Sequence, residues 1–120
     1  MKELSVNPAN LATVIENALK DGKAIDIRVI AVSHITVVAD TMVIASGRSA
    51  RQVKALTDRV CEAVKTAGSS VLGIEGTTSA EWVLVDTGGV LVQIMQPLAR
   101  EFYQLEKLWS DVKMIEGGNP

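Results

Sequence analysis

Apolar residues recur at spacings of three and four in three parts of the chain, and each part is predicted to form an amphipathic helix. The first helix begins at Asn7-Pro8, because Asn is a good N-cap and Pro tolerates the first helical position. It ends at Asp21-Gly22, where glycine suits a left-handed cap. The second begins at Ser49, which forms a capping box with Gln52, and ends at 67–68. The apolar positions of the three helices are Leu11, Val14, Ile15, Ala18 and Leu19, then Val53, Leu56, Val60, Ala63 and Val64, then Leu98, Phe102, Leu105, Leu108 and Trp109.

Alternating or continuous apolar runs predict five strands between these helices. In the first strand, Ile25, Ile27 and Val29 alternate with polar residues, which is typical of a half-buried strand. The second contains the run 42–45, which is typical of a central strand. The strands are predicted over 24–30, 38–45, 71–74, 82–87 and 90–95. The order α-β-β-α-β-β-β-α indicates an α/β (α+β) fold with one mixed sheet of about five strands and helices packed on it. Residues 1–113 form the single domain, and 114–120 form a flexible C-terminal tail.

The last two strands form a hairpin, because Gly88-Gly89 is a two-residue turn that permits positive φ. This turn sets the register, so that Thr87 lies opposite Val90 and the alternation of side chains follows from there. One face is almost entirely β-branched and is expected to meet the core. The other face, which we call the Trp82 face, carries Trp82, Leu84, Asp86, Leu91, Gln93 and Met95.

Three interpretations of the Trp82 face remain open at this point. Helix three or another element covers it, so that Trp82 belongs to the core. Alternatively, it faces solvent and binds another protein, since interface centres favour Trp and Met. In the third interpretation, two copies of the chain use this face for a symmetric homodimer.

Composition narrows the class of protein. The chain has 120 residues, 48% of them hydrophobic, and a formal net charge of -2. The absence of a basic excess and the 3% aromatic content argue against a free-standing nucleic-acid binder. One cysteine excludes an internal disulfide. No apolar run approaches the roughly 20 residues that span a bilayer. The first residues carry no signal-peptide pattern, so a cytoplasmic protein is expected.

Few residues are candidates for chemistry. His34 is the sole histidine, and Cys61 lies beside the apolar stripe of the second helix, so we interpret them as a surface residue and a packing residue. Asp26, Asp40 and Asp86 lack metal-ligand spacing, and no metal or cofactor is expected.

The turn 46–49 before the second helix resembles the Gly-Ser turn of nucleotidyltransferases, which leaves a nucleotide-binding enzyme as the alternative function. Those enzymes need a pair of metal-binding carboxylates downstream, and 69–73 supplies none, so a capped helix start is favoured. Arg48, Arg51 and Lys54 then form a modest basic stripe that is solvated or contacts RNA phosphates within a larger assembly.

Four long, ordered blocks of the sequence resemble the ribosomal silencing factor family RsfS, also called Iojap. They cover 35–53, 73–76, 81–86 and 100–109, and the resemblance extends over 8–110. It implies a protein that is not an enzyme and that binds the large ribosomal subunit through its fourteenth-numbered protein, a basic protein at the subunit interface. Such binding blocks joining of the small subunit and represses translation. It also implies a nucleotidyltransferase-like topology without the catalytic carboxylates, and a homodimer when free, with no membrane and no small-molecule substrate.

The resemblance favours the Trp82 face as the binding face. Trp82 and Asp86 match the tryptophan and the acid of the family, whereas Leu84, Leu91 and Met95 follow from the hairpin register. Two positions depart from the family pattern: Gly89 stands where Asp is frequent, and Gln93 stands where His is frequent. These departures leave the surface less charged and less sensitive to pH. The neighbouring acids Glu75, Glu81 and Asp86 are expected to pair with Lys and Arg of the partner.

Overall fold

The computed structural model describes residues 8–32 and 39–103. Its elements follow the predicted order and are α1 (Pro8–Asp21), β1 (Ile25–Ala31), β2 (Thr41–Ser46), α2 (Ala50–Thr66), β3 (Gly73–Glu75), β4 (Trp82–Asp86), β5 (Val90–Met95) and α3 (Pro97–Tyr103). The predictions for Asn7, His34, residue 38 of strand two, the end of helix three and the tail 114–120 lie outside the described residues. Strand two was predicted to start too early, because residues 39 and 40 are described and precede β2, which begins at Thr41.

The five strands form one mixed sheet in the order β1-β2-β5-β4-β3, which confirms the predicted fold class. Among the strands of the described residues, β2 and β5 pair in parallel, and the other three neighbouring pairs are antiparallel. The run Met42–Ala45 of β2 is no more than 1% exposed at any residue. The prediction of a central strand buried on both faces is therefore confirmed.

Helices α1 and α2 pack side by side on one face of the sheet. Their apolar stripes and the alternate residues of the strands beneath them form the main core, because each element buries its hydrophobic side against the other. The fully buried members of this core with less than 1% exposure include Ile15, Leu19, Val43, Val53, Val60, Val64, Val83, Val85, Val92 and Ile94. Cys61 is half-buried against the same core, which confirms its interpretation as a packing residue.

The start of α2 is capped largely as predicted. Ser49 Oγ accepts a hydrogen bond from the backbone N–H of Gln52 at 3.1 Å. The side chain of Gln52 departs from a capping box, because its Oε1 accepts from the N–H of Arg48 rather than from that of Ser49. Its Nε2 donates to the carbonyl of Lys23 at 3.1 Å. Gln52 therefore ties the end of α1 to the beginning of α2.

Strand β1 differs from the simple alternation predicted for it. A bulge interrupts its pairing with β2 between Ile25 and Arg28, and Asp26 within it has a φ of 50°. Ile27 packs against the main core, but Val29 remains 45% exposed. Val29 lies opposite buried Val43, so it has the predicted side of the sheet but sits on an edge strand that the helices cover incompletely.

A second apolar cluster lies on the face of the sheet opposite α1 and α2. Its fully buried centre is formed by Met42, Ile44 and Met95, and Ala99 of α3 packs against it. Arg100, also in α3, turns inward and donates from Nη1 to Ser46 Oγ at 3.0 Å. With Ala99 and Arg100 facing the sheet, Leu98 points outward and is 78% exposed. The prediction that Leu98 belongs to a buried stripe was wrong for this reason.

Candidate protein-docking surface

The β4–β5 hairpin has the predicted register. Trp82 pairs with Met95, Leu84 with Gln93, and Asp86 with Leu91. The N–H of Thr87 donates to the carbonyl of Val90 at 3.0 Å and closes the turn. Since Gly88 has a φ of 92°, the turn needs the glycine that the sequence provides there.

The two faces of the hairpin differ in burial as predicted. Every residue of the face toward α1 and α2 is buried, whereas Trp82, Leu84, Asp86 and Leu91 on the opposite face are half-buried. The Trp82 face is therefore neither fully covered by α3 nor fully open. Trp82 and Leu91 pack against the second cluster on one side and leave part of their side chains accessible.

Two of the predicted contact residues are less accessible than expected. Met95 has 0% exposure and Gln93 has 7%. Met95 lies in β5 beneath α3, within the second cluster, so it supports this face from inside and offers no surface to a partner. Gln93 is buried with its side-chain amide hydrogen-bonded to other side chains of the protein.

Gln93 holds the indole of Trp82 in place. Its Oε1 accepts a hydrogen bond from Trp82 Nε1 at 2.6 Å, and its Nε2 donates to Met42 Sδ at 3.4 Å. A buried side-chain amide with partners on both atoms orients its neighbours more firmly than one that is half-satisfied. Gln93 thus positions Trp82 and, although only 7% exposed, forms part of the wall of the pocket beside the indole.

A shallow pocket of about 260 Å³ opens beside the indole. It is lined by Glu75, Gly76, Trp82, Leu84 and Gln93. Glu75 lies here because β3 pairs with β4 so that Glu75 is opposite Leu84. Glu75 and Glu81 are both exposed. The structure thus brings two of the predicted acids to the edge of the Trp82 face.

The loop between β3 and β4 fixes the position of Trp82 along the strand. Gly76 has a φ of 92°, and a Cβ added there would collide with the backbone carbonyl of Trp82. Its carbonyl accepts from the N–H of Ala80 at 3.0 Å. On the other side, the carbonyl of Glu81 accepts from the N–H of Gln96 at 2.9 Å. These contacts make the start of β4 a rigid base for the tryptophan.

Asp86 has a structural role in addition to its predicted one. Its Oδ1 accepts a hydrogen bond from the backbone N–H of Gly88 at 2.8 Å, as aspartates commonly do at the start of turns. The carboxylate is half-buried and lies at the far end of the Trp82 face from Glu81.

Leu98 is the residue that pattern reasoning missed as surface. It is the second residue of α3, and α3 packs on the same side of the sheet as Trp82. Its side chain is exposed on this side of the sheet. An apolar helical position gives no signal of exposure by itself, because exposure depends on how α3 is rotated.

The candidates for chemistry are not brought together. In the described ranges 8–32 and 39–103, no group of three or more His, Cys, Asp and Glu side chains has the arrangement of a metal site. Asp26 and Asp40 are exposed. The pKa of the Cys61 thiol is raised, chiefly by burial and further by Asp58, with Lys65 acting in the opposite direction. A raised pKa keeps the thiol protonated and unreactive near neutral pH.

The turn before α2 is a capped helix start, as the sequence favoured. Ser49 is the N-cap, and Ser46 is 1% exposed and bonded to Arg100. Both hydroxyls therefore have structural partners.

Among the described helices, none is long and apolar enough to cross a bilayer.

Comparison with known proteins agrees with these features. The family model described as "Ribosomal silencing factor during starvation" matches residues 5–119. The chain is 45% identical over 96 residues to the ribosomal silencing factor RsfS of Chromobacterium violaceum, covering 80% of this chain and 79% of that relative. It is 38% identical over 107 residues to RsfS of Zymomonas mobilis, covering 89% and 80%.

The fold is similar as well. A crystal structure of a protein from Chromobacterium violaceum superposes with a TM-score of 0.85 and 40% sequence identity, over 88% of both chains. A second crystal structure, from Bacillus halodurans, gives a TM-score of 0.76 at 32% identity. The match thus covers both the sequence and the arrangement of helices and strands, and the chain belongs to the ribosomal silencing factor family RsfS.

Proposed function

We propose that this protein binds the large ribosomal subunit through its fourteenth-numbered protein and sterically blocks joining of the small subunit, which represses translation. The Trp82 face docks on that basic protein, and the bulk of the domain fills space that the small subunit needs. No covalent bond is made or broken in this mechanism, so the protein acts as a binding factor and not as an enzyme. Its proposed place of action is the cytoplasm. Family membership supports the ribosomal role.

The observation that carries this proposal is the half-buried indole beside a shallow pocket. Trp82 is anchored through Gln93 and packs on the second cluster, yet part of its ring and the pocket next to it remain accessible. Binding energy at protein interfaces concentrates in rigid aromatic anchors of this kind. Because the ring is already oriented, docking costs little side-chain entropy.

The charge around the pocket fits a basic partner. Glu75 lines the pocket and is exposed, exposed Glu81 directly precedes Trp82, and half-buried Asp86 lies farther along the same face. Exposed acids of this kind accelerate encounter with Lys and Arg and contribute little to the final affinity at physiological salt. Glu75, Glu81 and Asp86 therefore steer the partner, while Trp82, Leu84, Leu91 and Leu98 provide the apolar contact.

The free protein is proposed to form a homodimer through the same face. Half-buried apolar side chains at one site favour self-association when the partner is absent. Dimerisation and ribosome binding then compete. Light scattering of the Trp82→Ala variant tests this, because the variant is expected to be monomeric where the unaltered chain is dimeric.

The test of the main proposal is cosedimentation of the Trp82→Ala variant with purified large subunits. Truncating an interface anchor costs about 2 kcal/mol or more, so binding is expected to weaken by roughly thirtyfold. Leu72→Ala is the matched control. Leu72 is also a large exposed apolar residue, with 67% exposure, but it lies just before the edge strand β3 and is not one of the residues that form the Trp82 face. Circular dichroism confirms that both variants are folded. A folded Trp82→Ala variant that binds like the unaltered chain overturns the proposal.

A further inference from the structure

A second surface of distinct character lies where α1 ends and α2 begins. It carries Lys23, Arg48, Arg51 and Arg59, and we call it the basic surface. Gln52 draws it together, because its amide bonds to the carbonyl of Lys23 and to the N–H of Arg48. The Arg59 stem runs alongside Gly22, where an added Cβ would lie 2.9 Å from Arg59 Cδ.

The structure changes the membership of the basic stripe expected from the sequence. Lys54 has Asp58 four residues further along α2, a spacing at which opposite charges offset each other on a helix. Lys23 and Arg59 belong to the basic surface in place of Lys54, although they are distant from Arg48 in sequence. The set combines the α1–β1 connection, the residue before the N-cap of α2, and two positions within α2.

The four cations are available to an external partner. Each of the four residues is exposed, and within 8–32 and 39–103 none of their side chains forms an ion pair, in contrast to Lys20, whose Nζ lies 3.5 Å from Glu16. Three acids lie near these cations in sequence: Asp21 two residues before Lys23, Asp58 directly before Arg59, and Glu62 three residues after Arg59. Four cations against three acids still leave a local positive excess in a chain whose formal net charge is -2. Arg51 also stands in the first turn of α2, which has no acid and where the helix dipole disfavours a cation.

The basic surface lies at the same end of the sheet as Trp82. β2 and β5 run parallel and finish together, and the N–H of Gly47 donates to the carbonyl of Met95 at 3.0 Å. Met95 is the cross-strand partner of Trp82, and Arg48 follows Gly47 directly. A particle that contacts the Trp82 face at this end therefore has its neighbouring parts within reach of Arg48 and Arg51.

We propose that the basic surface binds the phosphate backbone of RNA in the large subunit while the Trp82 face binds protein, an inference that rests on the proposed function. Exposed large hydrophobic residues in the described chain are Val29, Leu72, Ile74 and Leu98, and none belongs to the basic surface. Guanidinium groups on a surface that carries no exposed large apolar side chain suit phosphate oxygens better than a protein interface or base stacking. The contact is therefore independent of RNA sequence.

The test compares the double variant Arg48→Gln/Arg51→Gln with the unaltered chain for binding to purified large subunits over a range of KCl concentrations. Loss of two phosphate contacts is expected to weaken binding on the order of tenfold at low salt and to reduce the slope of log affinity against log salt by about two. Lys65→Gln is the matched control, because Lys65 is exposed in the last turn of α2. It is expected to behave like the unaltered chain.

A parallel measurement uses the isolated fourteenth-numbered ribosomal protein, to which the double variant is expected to bind normally. If the double variant keeps the affinity and salt slope of the unaltered chain on large subunits, the RNA contact is overturned while the Trp82 proposal stands. If its binding to the isolated protein falls by the same factor as its binding to subunits, the surface contacts protein and the inference is again overturned. Failure of the unaltered chain to bind subunits overturns both proposals.

Discussion

The two faces of the β4–β5 hairpin are formed by alternating residues of the same two strands, yet they differ in how far they are buried. On one face, Val83, Val85 and Ile94 are completely buried beneath α1 and α2. On the other face, Trp82 and Leu84 are half-buried, and α3 covers only the part near Met95. One pair of strands thus provides both the core and the proposed docking surface.

This difference predicts that changes on one face of the hairpin affect mainly the stability of the protein, whereas changes on the other face affect mainly its binding to the large subunit. A change on the helix-covered face alters the free energy of unfolding, because it leaves a cavity in a packed core. A change at the half-buried residues of the Trp82 face alters mainly affinity, because their outer atoms are not fully packed in the free protein. Met95 and Gln93 have the same side of the sheet but are buried, so changes there act on stability. The variants below test this separation, from the largest expected effect to the smallest.

Ile94→Ala is expected to have the largest effect, a loss of about 2–5 kcal/mol in the free energy of unfolding. Ile94 has 0% exposure and lies between the sheet and the helices. Urea denaturation followed by circular dichroism measures the loss. Affinity for large subunits, measured where the variant is still folded, is expected to be unchanged. A large loss of affinity with little change in stability contradicts the separation.

The division between the two faces was accessible from sequence, and its reason is local. Gly88-Gly89 specifies a two-residue turn, and from that turn the alternation assigns each side chain to a face. The cap at Ser49 was accessible in the same way, because Gln52 lies only three residues away. Element order and the central position of β2 followed from similarly short patterns.

The degree of exposure was not accessible, because it depends on elements distant in sequence. Met95 and Gln93 have the predicted side of the sheet, but α3 and Met42 enclose them. Leu98 fits a helical apolar stripe, but Ala99 and Arg100 are the residues of α3 that face the sheet, so Leu98 faces outward. The face of the sheet on which a side chain lies is therefore predictable from a few neighbouring residues. The extent to which other elements bury that side chain depends on the whole tertiary structure.

Leu98→Ser sharpens the boundary of the Trp82 face. Burying a leucine side chain at an interface contributes roughly 1.5–3 kcal/mol when burial is complete, and Leu98 at the periphery is expected to contribute about 1 kcal/mol, or a fivefold loss of affinity. Stability is expected to change by less than about 0.5 kcal/mol, because the residue is exposed. The control is Leu72→Ser, measured by the same cosedimentation. Equal affinities for the two variants would restrict the docking surface to the hairpin.

The smallest effect is expected from Glu75→Gln combined with Glu81→Gln. Both acids are exposed near Trp82, so their attraction for a basic partner acts over a distance and is screened by salt. The association rate with large subunits is expected to fall by roughly threefold at low salt and to match the unaltered chain near 0.5 M salt, with the dissociation rate nearly constant. Stopped-flow measurements of a fluorescently labelled chain separate the two rates. Glu62→Gln, which changes an exposed acid of α2, is the control. A loss that persists at high salt, or that appears mainly in dissociation, would mean that these carboxylates lie inside the interface and are desolvated there, as Trp82 is proposed to be.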